Sequence, residues 1–221
     1  MTLPAHLAGR KIYHIVHVDR LPSILADGCL YSNHIMVQRS GALPVMGIHD
    51  IKDRRQSLPV KCRPGLMVGQ CVPFYFCPRS VMLYLIYKRN HPELTFLEGQ
   101  SSILHLQADL SRTIEWAEQH GKRWAFTLSN AGSNYFEDRC SIAQLTDINW
   151  AAVDENWWSG RNVSPSVRES KQSEFLLETS FPWGLVERVG TCGAQVTNTA
   201  TAMIANTAHR PPVSYLPSWY Y

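Results

Sequence analysis

Long apolar runs are missing from this sequence: no stretch approaches the roughly 20 residues that a membrane span needs, so no membrane partner is expected. The opening residues, Met1-Thr2-Leu3-Pro4-Ala5-His6, lack the charged end and apolar core of a secretory signal, and the expected compartment is the cytoplasm. Six cysteines (Cys29, Cys62, Cys71, Cys77, Cys140 and Cys192) are scattered without a C-x-x-C spacing. That pattern excludes a zinc ribbon or a disulfide framework and leaves reduced thiols. No G-x-G-x-x-G follows a strand and no Walker loop occurs, which removes the Rossmann and P-loop nucleotide sites. Neither a G-x-S-x-G elbow nor an H-E-x-x-H helix is present, and the nine histidines match no ligand spacing, so no metal is expected.

What is there is globular. A hydrophobic share of 45% with 18% charged residues sets aside disorder, collagen and coiled coil. No repeat or linker divides the 221 residues, so 1–221 reads as a single domain with a real core. The net charge of +3 conceals a cluster, Lys52, Arg54, Arg55, Lys61 and Arg63, with smaller groups at Arg79, Lys88, Arg89, Lys122, Arg123, Arg161, Arg168 and Lys171. These are either solvated faces or, gathered on one surface, a polyanion site.

Short strands are expected at Lys11–Val18, Val72–Phe76, Ile103–Leu106, Trp124–Thr127, the segment after Gln172, and Glu187–Thr191. Pro73 places the second of these at a sheet edge or at a strand start. Helices are expected after Asp19 as cap, over Asp50–Arg55, from Ser80, over Ala108–His120, over Asp147–Trp158, from Pro182, and over Ala194–Thr207. Tyr31 to Gly47 and Ser159 to Glu169 read as loops. Strands dispersed among helices in this way give an α+β class.

One triplet carries the most chemistry. In Gln172-Ser173-Glu174, ahead of the apolar Phe175-Leu176-Leu177, side chains at i and i+2 share a strand face, so Gln172 and Glu174 reach into one cleft. Such a pair suits NAD-consuming glycosyl chemistry, although a bare Gln-x-Glu equally fits a solvated strand end. Further blocks run in order along the chain: Tyr13-His14-Ile15-Val16-His17-Val18-Asp19, Val72-Pro73-Phe74-Tyr75-Phe76-Cys77-Pro78-Arg79-Ser80, Met82-Leu83-Tyr84, Lys171 to Leu176, Phe181-Pro182-Trp183 and Trp219-Tyr220-Tyr221.

Together these blocks resemble the DarT family, bacterial toxins that ADP-ribosylate DNA. The resemblance implies an ADP-ribosyltransferase-like fold, two small packed β-sheets with surrounding helices and a central NAD cleft. It implies transfer of ADP-ribose from NAD+, as co-substrate, to a base of single-stranded DNA, with thymidine favoured and a guanine-modifying branch as the alternative. A DarG-like macrodomain antitoxin is the implied partner. Carried onto this sequence, the resemblance gives Glu174 and Arg55 as catalytic residues and His14, Val16, Arg55 and Tyr75 as the NAD-binding set. Arg79, Met82, Asn130 and Arg168 fall where the family meets DNA. Breaking the nicotinamide–ribose bond builds oxocarbenium-like charge, which a carboxylate at Glu174 stabilises. Two departures lie on the DNA side: Asn130 stands nearest to where the family has a histidine, and the lead-in Val167-Arg168-Glu169-Ser170-Lys171 is less basic. Acceptors other than DNA (RNA, protein, water) stay open, as does a non-catalytic single-stranded nucleic-acid binder.

Overall fold

The computed structural model describes residues 4–40, 49–94, 96–160 and 162–221. Strand β1 (Lys11–His17) leads through a 3-10 turn into helix α1 (Leu21–Asp27), strand β2 (Cys29–Tyr31), and helices α2 (Asn33–Ser40) and α3 (His49–Ser57). Next come β3 (Cys71–Tyr75), α4 (Val81–Lys88), β4 (Ile103–Asp109), α5 (Leu110–Gln119), β5 (Trp124–Thr127) and the short β6 (Asp138–Arg139). Helices α6 (Trp150–Asp154) and α7 (Pro165–Ser170) precede β7 (Glu174–Glu178), β8 (Ser180–Pro182), β9 (Val186–Thr191), α8 (Ala194–Ile204) and β10 (Val213–Tyr215).

Caps set several of these boundaries. The Ser80 hydroxyl accepts the Leu83 N–H to open α4, and Asp109 accepts the Arg112 N–H, ending β4 and starting α5. Gly28, at φ 67°, closes α1 in a left-handed conformation that a side chain would strain. Asp19 does not cap α1: it lies in the 3-10 turn Val18–Arg20, and Arg20 occupies the cap position. The expected loop from Tyr31 contains α2 instead, because tertiary ties hold that helix: Arg39 forks onto Asp27 at 2.7 and 2.9 Å and lies over the Tyr31 ring. The 41–47 part of that loop, and Arg161, lie outside the described residues. The expected helix over Asp147–Trp158 shortens to α6, since Asn149 accepts the Ala152 N–H and restarts the count there. The expected loop Ser159–Glu169 contains α7, opened by Ser164 and Pro165. Pro182 ends β8 ahead of a 3-10 turn rather than beginning an α-helix.

Eight strands form one sheet in the order β10-β9-β4-β1-β3-β7-β5-β6, and β2 pairs with β8 in a separate ribbon. The large sheet has two halves. β1 runs antiparallel to β4 from Lys11↔Asp109 to His17↔Ile103, and β3 to β7 from Cys71↔Glu178 to Tyr75↔Glu174. Between the halves, β1 and β3 meet at the single pair Tyr13↔Tyr75. The two expected sheets therefore occur as halves of one sheet joined at a narrow seam.

Pro73 sits in the interior strand β3, not at the expected edge, and the seam explains why. Its carbonyl accepts from His14 Nδ1 at 2.8 Å, so its missing N–H also faces the β1 side, where no ladder needs it. β7 is buried on both faces: Phe175 and Leu177 join the large core with Phe74 and Phe181, while Leu176 packs with Val60, Leu66 and Phe136. Fully apolar strands of this kind anchor the residue at their start, and in β7 that residue is Glu174.

Candidate active site

A cleft of about 500 Å³ opens beside the seam, within the range of small-molecule sites. His14 and Val16 reach it from β1, Arg55 from α3, Tyr75 from β3, Met82 from the first turn of α4, Asn130 from the loop after β5, and Gln172 and Glu174 from β7 and its lead-in. Two expected residues stay outside. Arg79 lines a second cavity of about 310 Å³, its guanidinium 4.4 Å over the Tyr221 ring. Arg168 is exposed on α7 and donates to the Val163 carbonyl.

Glu174 is 2% exposed, and its two oxygens are used unequally. Oε1 accepts from Arg55 Nη2 and from the Ala131 N–H at 3.3 Å. Oε2 is buried and has no protein partner. A buried carboxylate oxygen without a partner, on a residue that lines a cleft, is an acceptor that a sugar hydroxyl would satisfy. Arg55 is nearly as enclosed; burial opposes its charge, but Glu174 outweighs burial and holds the guanidinium above its ordinary value. Its Nε is also unpartnered.

Tyr75 stands directly opposite Glu174 in the β3–β7 register. Burial and then the neighbouring Glu174 charge push its phenol well up, so it is a neutral donor. His14 is neutral too: burial lowers its pKa more than the Pro73 bond raises it, and Lys52 adds to the lowering. Since a carbonyl only accepts, the proton is on Nδ1 and Nε2 carries the lone pair.

Gln172 holds the surrounding chain together. Its amide donates to the Arg168 carbonyl at 3.0 Å and accepts from Asn130 Nδ2 at 3.1 Å, tying α7 to the loop after β5. Asn130 Oδ1 accepts the Gly132 N–H, which shapes the turn presenting the Ala131 N–H to Glu174. Lys171, 3% exposed, donates to the carbonyls of Val153 and Glu155, so its ammonium fixes the loop behind Gln172.

Sequence reasoning missed Gly132, and it placed Lys52 in the basic cluster without assigning it to the cleft. A Cβ on Gly132 would stand 2.6 Å from the Ile51 methyl and 3.4 Å from Arg55 Nε, so only glycine lets this loop close against α3. Lys52 lines the cleft one helical turn from Arg55; the i, i+3 spacing was the available signal.

Residues 13–221 match the family model described as "ssDNA thymidine ADP-ribosyltransferase, DarT". A protein of Thermus aquaticus named DNA ADP-ribosyl transferase is 34% identical over 215 residues, covering 95% of this chain and 88% of its own. The fold is similar to Thermus sp. 2.9 DarT in complex with ADP-ribosylated ssDNA, at a TM-score of 0.85 and 30% identity, covering 100% of this chain and 99% of that one. It is similar also to Thermus sp. 2.9 DarT in complex with NAD+, at a TM-score of 0.77 and 28% identity, covering 100% of both chains. With its sequence matched from the middle of β1 to the last residue and its fold matched throughout, this chain belongs to the DarT family.

Proposed function

We propose that this chain moves the ADP-ribosyl group of NAD+ onto a thymine of single-stranded DNA and releases nicotinamide. The observation that carries the reading is the buried Arg55–Glu174 pair lining the cleft, with Glu174 Oε2 buried and without a partner among the described residues, in a chain of this family. Oε2 binds the 2′-hydroxyl of the nicotinamide-side ribose and stabilises the positive charge that grows as the glycosidic bond breaks. The bonding pair leaves with nicotinamide, the thymine ring nitrogen supplies the new bond to C1′, and Glu174 takes the proton from that nitrogen. Neutral Tyr75 and His14, with Val16, add no positive charge beside the nicotinamide ring, which is cationic in NAD+ and leaves neutral.

Acceptor recognition falls to the loops around Glu174. Met82 supplies an apolar wall for an unstacked base, and the Asn130–Gln172 pair supplies amide donors and acceptors at its edge. Arg168 on exposed α7 serves a phosphate, and Arg79 acts from the neighbouring cavity. The chain acts in the cytoplasm as the toxin of a pair whose antitoxin is a DarG-like macrodomain.

The test is to incubate the protein with NAD+ and short oligonucleotides of defined base content and look for an added ADP-ribose mass. Modification of thymine-containing strands, lost in Glu174→Gln, is expected. Modification confined to guanine-containing strands would shift the acceptor, and none on any DNA despite NAD+ binding would overturn the reading. Expression of the wild type should slow growth, and that of Glu174→Gln should not.

A further inference from the structure

Lys52 and Arg55 lie three positions apart on α3, so their side chains leave neighbouring points of one helix face, and both line the cleft. Arg20, in the turn after β1, lines the same space. Both arginines act on Lys52. Burial first, then the charges of Arg55 and Arg20, pull the Lys52 ammonium down to about 8. Of the other charged and titratable groups that line the cleft, His14 on β1 is held neutral, Glu174 is paired with Arg55 and Asp27 with Arg39, and Asp19 and Glu98 each lie 3.4 Å from His17. Like charges drawn to a half-enclosed wall oppose one another, and a ligand carrying two negative charges turns each of those repulsions into support. Arg55 is already engaged: its Nη2 is on Glu174 Oε1, where the chemistry of the sugar is decided.

We propose that Lys52, assisted by Arg20, binds the pyrophosphate of NAD+, leaving Arg55 to orient Glu174. The assignment builds on the transferase reading and names the residues that take the charged middle of its co-substrate. An ammonium suits this task, because it is a compact charge with three donors that adapts to either phosphate, while the Arg55 fork is held by the Glu174 carboxylate.

Calorimetric titration of the wild type, Lys52→Met, Lys52→Arg and Arg20→Met with NAD+, ADP-ribose and nicotinamide riboside separates the ends of the ligand. For Lys52→Met at pH 7, Kd for NAD+ and for ADP-ribose rises on the order of tenfold, as expected for one lost charge-assisted contact. Nicotinamide riboside, which has no pyrophosphate, keeps its affinity. Arg20→Met shows a smaller loss for the same two ligands, because Arg20 is exposed and screened. Wild-type affinity for NAD+ declines from pH 7 to pH 9.5 as the Lys52 ammonium loses its proton, while Lys52→Arg stays flat. Wild-type affinity in Lys52→Met overturns the assignment. So does an equal loss for nicotinamide riboside, or a Lys52→Arg profile as steep as wild type; that last arm decides even where Lys52→Met folds poorly. A wild type that binds NAD+ with this pattern but never modifies DNA would sink the transferase reading and leave Lys52 in place.

Discussion

Arg55 and Glu174 face each other with 12% and 2% of their side chains exposed, so each is the buried counter-charge of the other. Removing one member of such a pair strands the other, which costs more than the pair contributes as a whole. Arg55→Met should therefore lower unfolding stability by about 3 kcal/mol in urea titrations. Glu174→Gln, which keeps shape but leaves the Arg55 charge uncompensated, should lower stability by a similar amount while reducing turnover by about 10²- to 10⁴-fold with NAD+ still bound. If Arg55→Met unfolds at the wild-type urea concentration, the pair is not buried as described. Glu174 and Arg55 were legible through the resemblance that carried their roles onto these positions; the strand face expected to hold Gln172 beside Glu174 does not form, because β7 begins at Glu174 and Gln172 reaches the cleft from the turn after α7. The Oε2 vacancy and the Ala131 N–H were not legible, since both depend on a loop from a distant part of the chain.

Among the elements, those whose ends are set by their own side chains were readable, α4 from Ser80 and the end of α1 from Gly28, while α5 was readable as a helix but not at its start, where Asp109 is the cap and not a helical residue. Those held by distant partners were not. α2 depends on Arg39 reaching Asp27, and nothing within residues 33–40 announces that tie. The loop after β5 gives the sharpest case. In Ser129-Asn130-Ala131-Gly132-Ser133 the glycine reads as ordinary loop material, yet its α-carbon lies where a methyl would meet Ile51 at 2.6 Å. Gly132→Ala should push the loop from α3, withdraw the Ala131 N–H from Glu174, and lower kcat about tenfold or more with KM for NAD+ little changed. A variant with wild-type kcat would show that the loop closes without that contact. Ser133→Ala, on the same turn without the close approach, serves as the control.

At the scale of the whole molecule, the last residues close the back of the sheet. Trp219 lies against Gly190, and the Tyr220 hydroxyl donates to the Ile103 and Gly190 carbonyls, making a lid over His105. His105 is fully buried, bonds only the Pro78 carbonyl, and burial lowers its pKa from 6.5 to about 4. Between those values the unfolded chain binds the proton that the folded protein refuses. Stability is thus fully present above pH 6.5 and declines as pH falls toward 4, by at most about 3 kcal/mol from this one group. Urea midpoints for His105→Phe should fall less steeply across that window than those of the wild type; parallel slopes would assign the acid sensitivity elsewhere. The Trp219-Tyr220-Tyr221 block was visible in the sequence only as a resemblance, because aromatic residues at a chain end show no periodicity from which a packing partner could be read.

The seam between β1 and β3 also has a mechanical consequence. Two stiff half-sheets, each knit by a long ladder, share one residue pair, Tyr13↔Tyr75, so bending strain concentrates there as at the spine of a book. A ligand lying across the seam touches both pages and damps their flexing. In deuterium-exchange measurements, the amides that bond across the β1–β3 seam at Tyr13↔Tyr75 should open more readily than those that bond across β1–β4, and NAD+ should slow them most. Equal protection along β1 and β3, with and without NAD+, would mean that the book does not open at its spine.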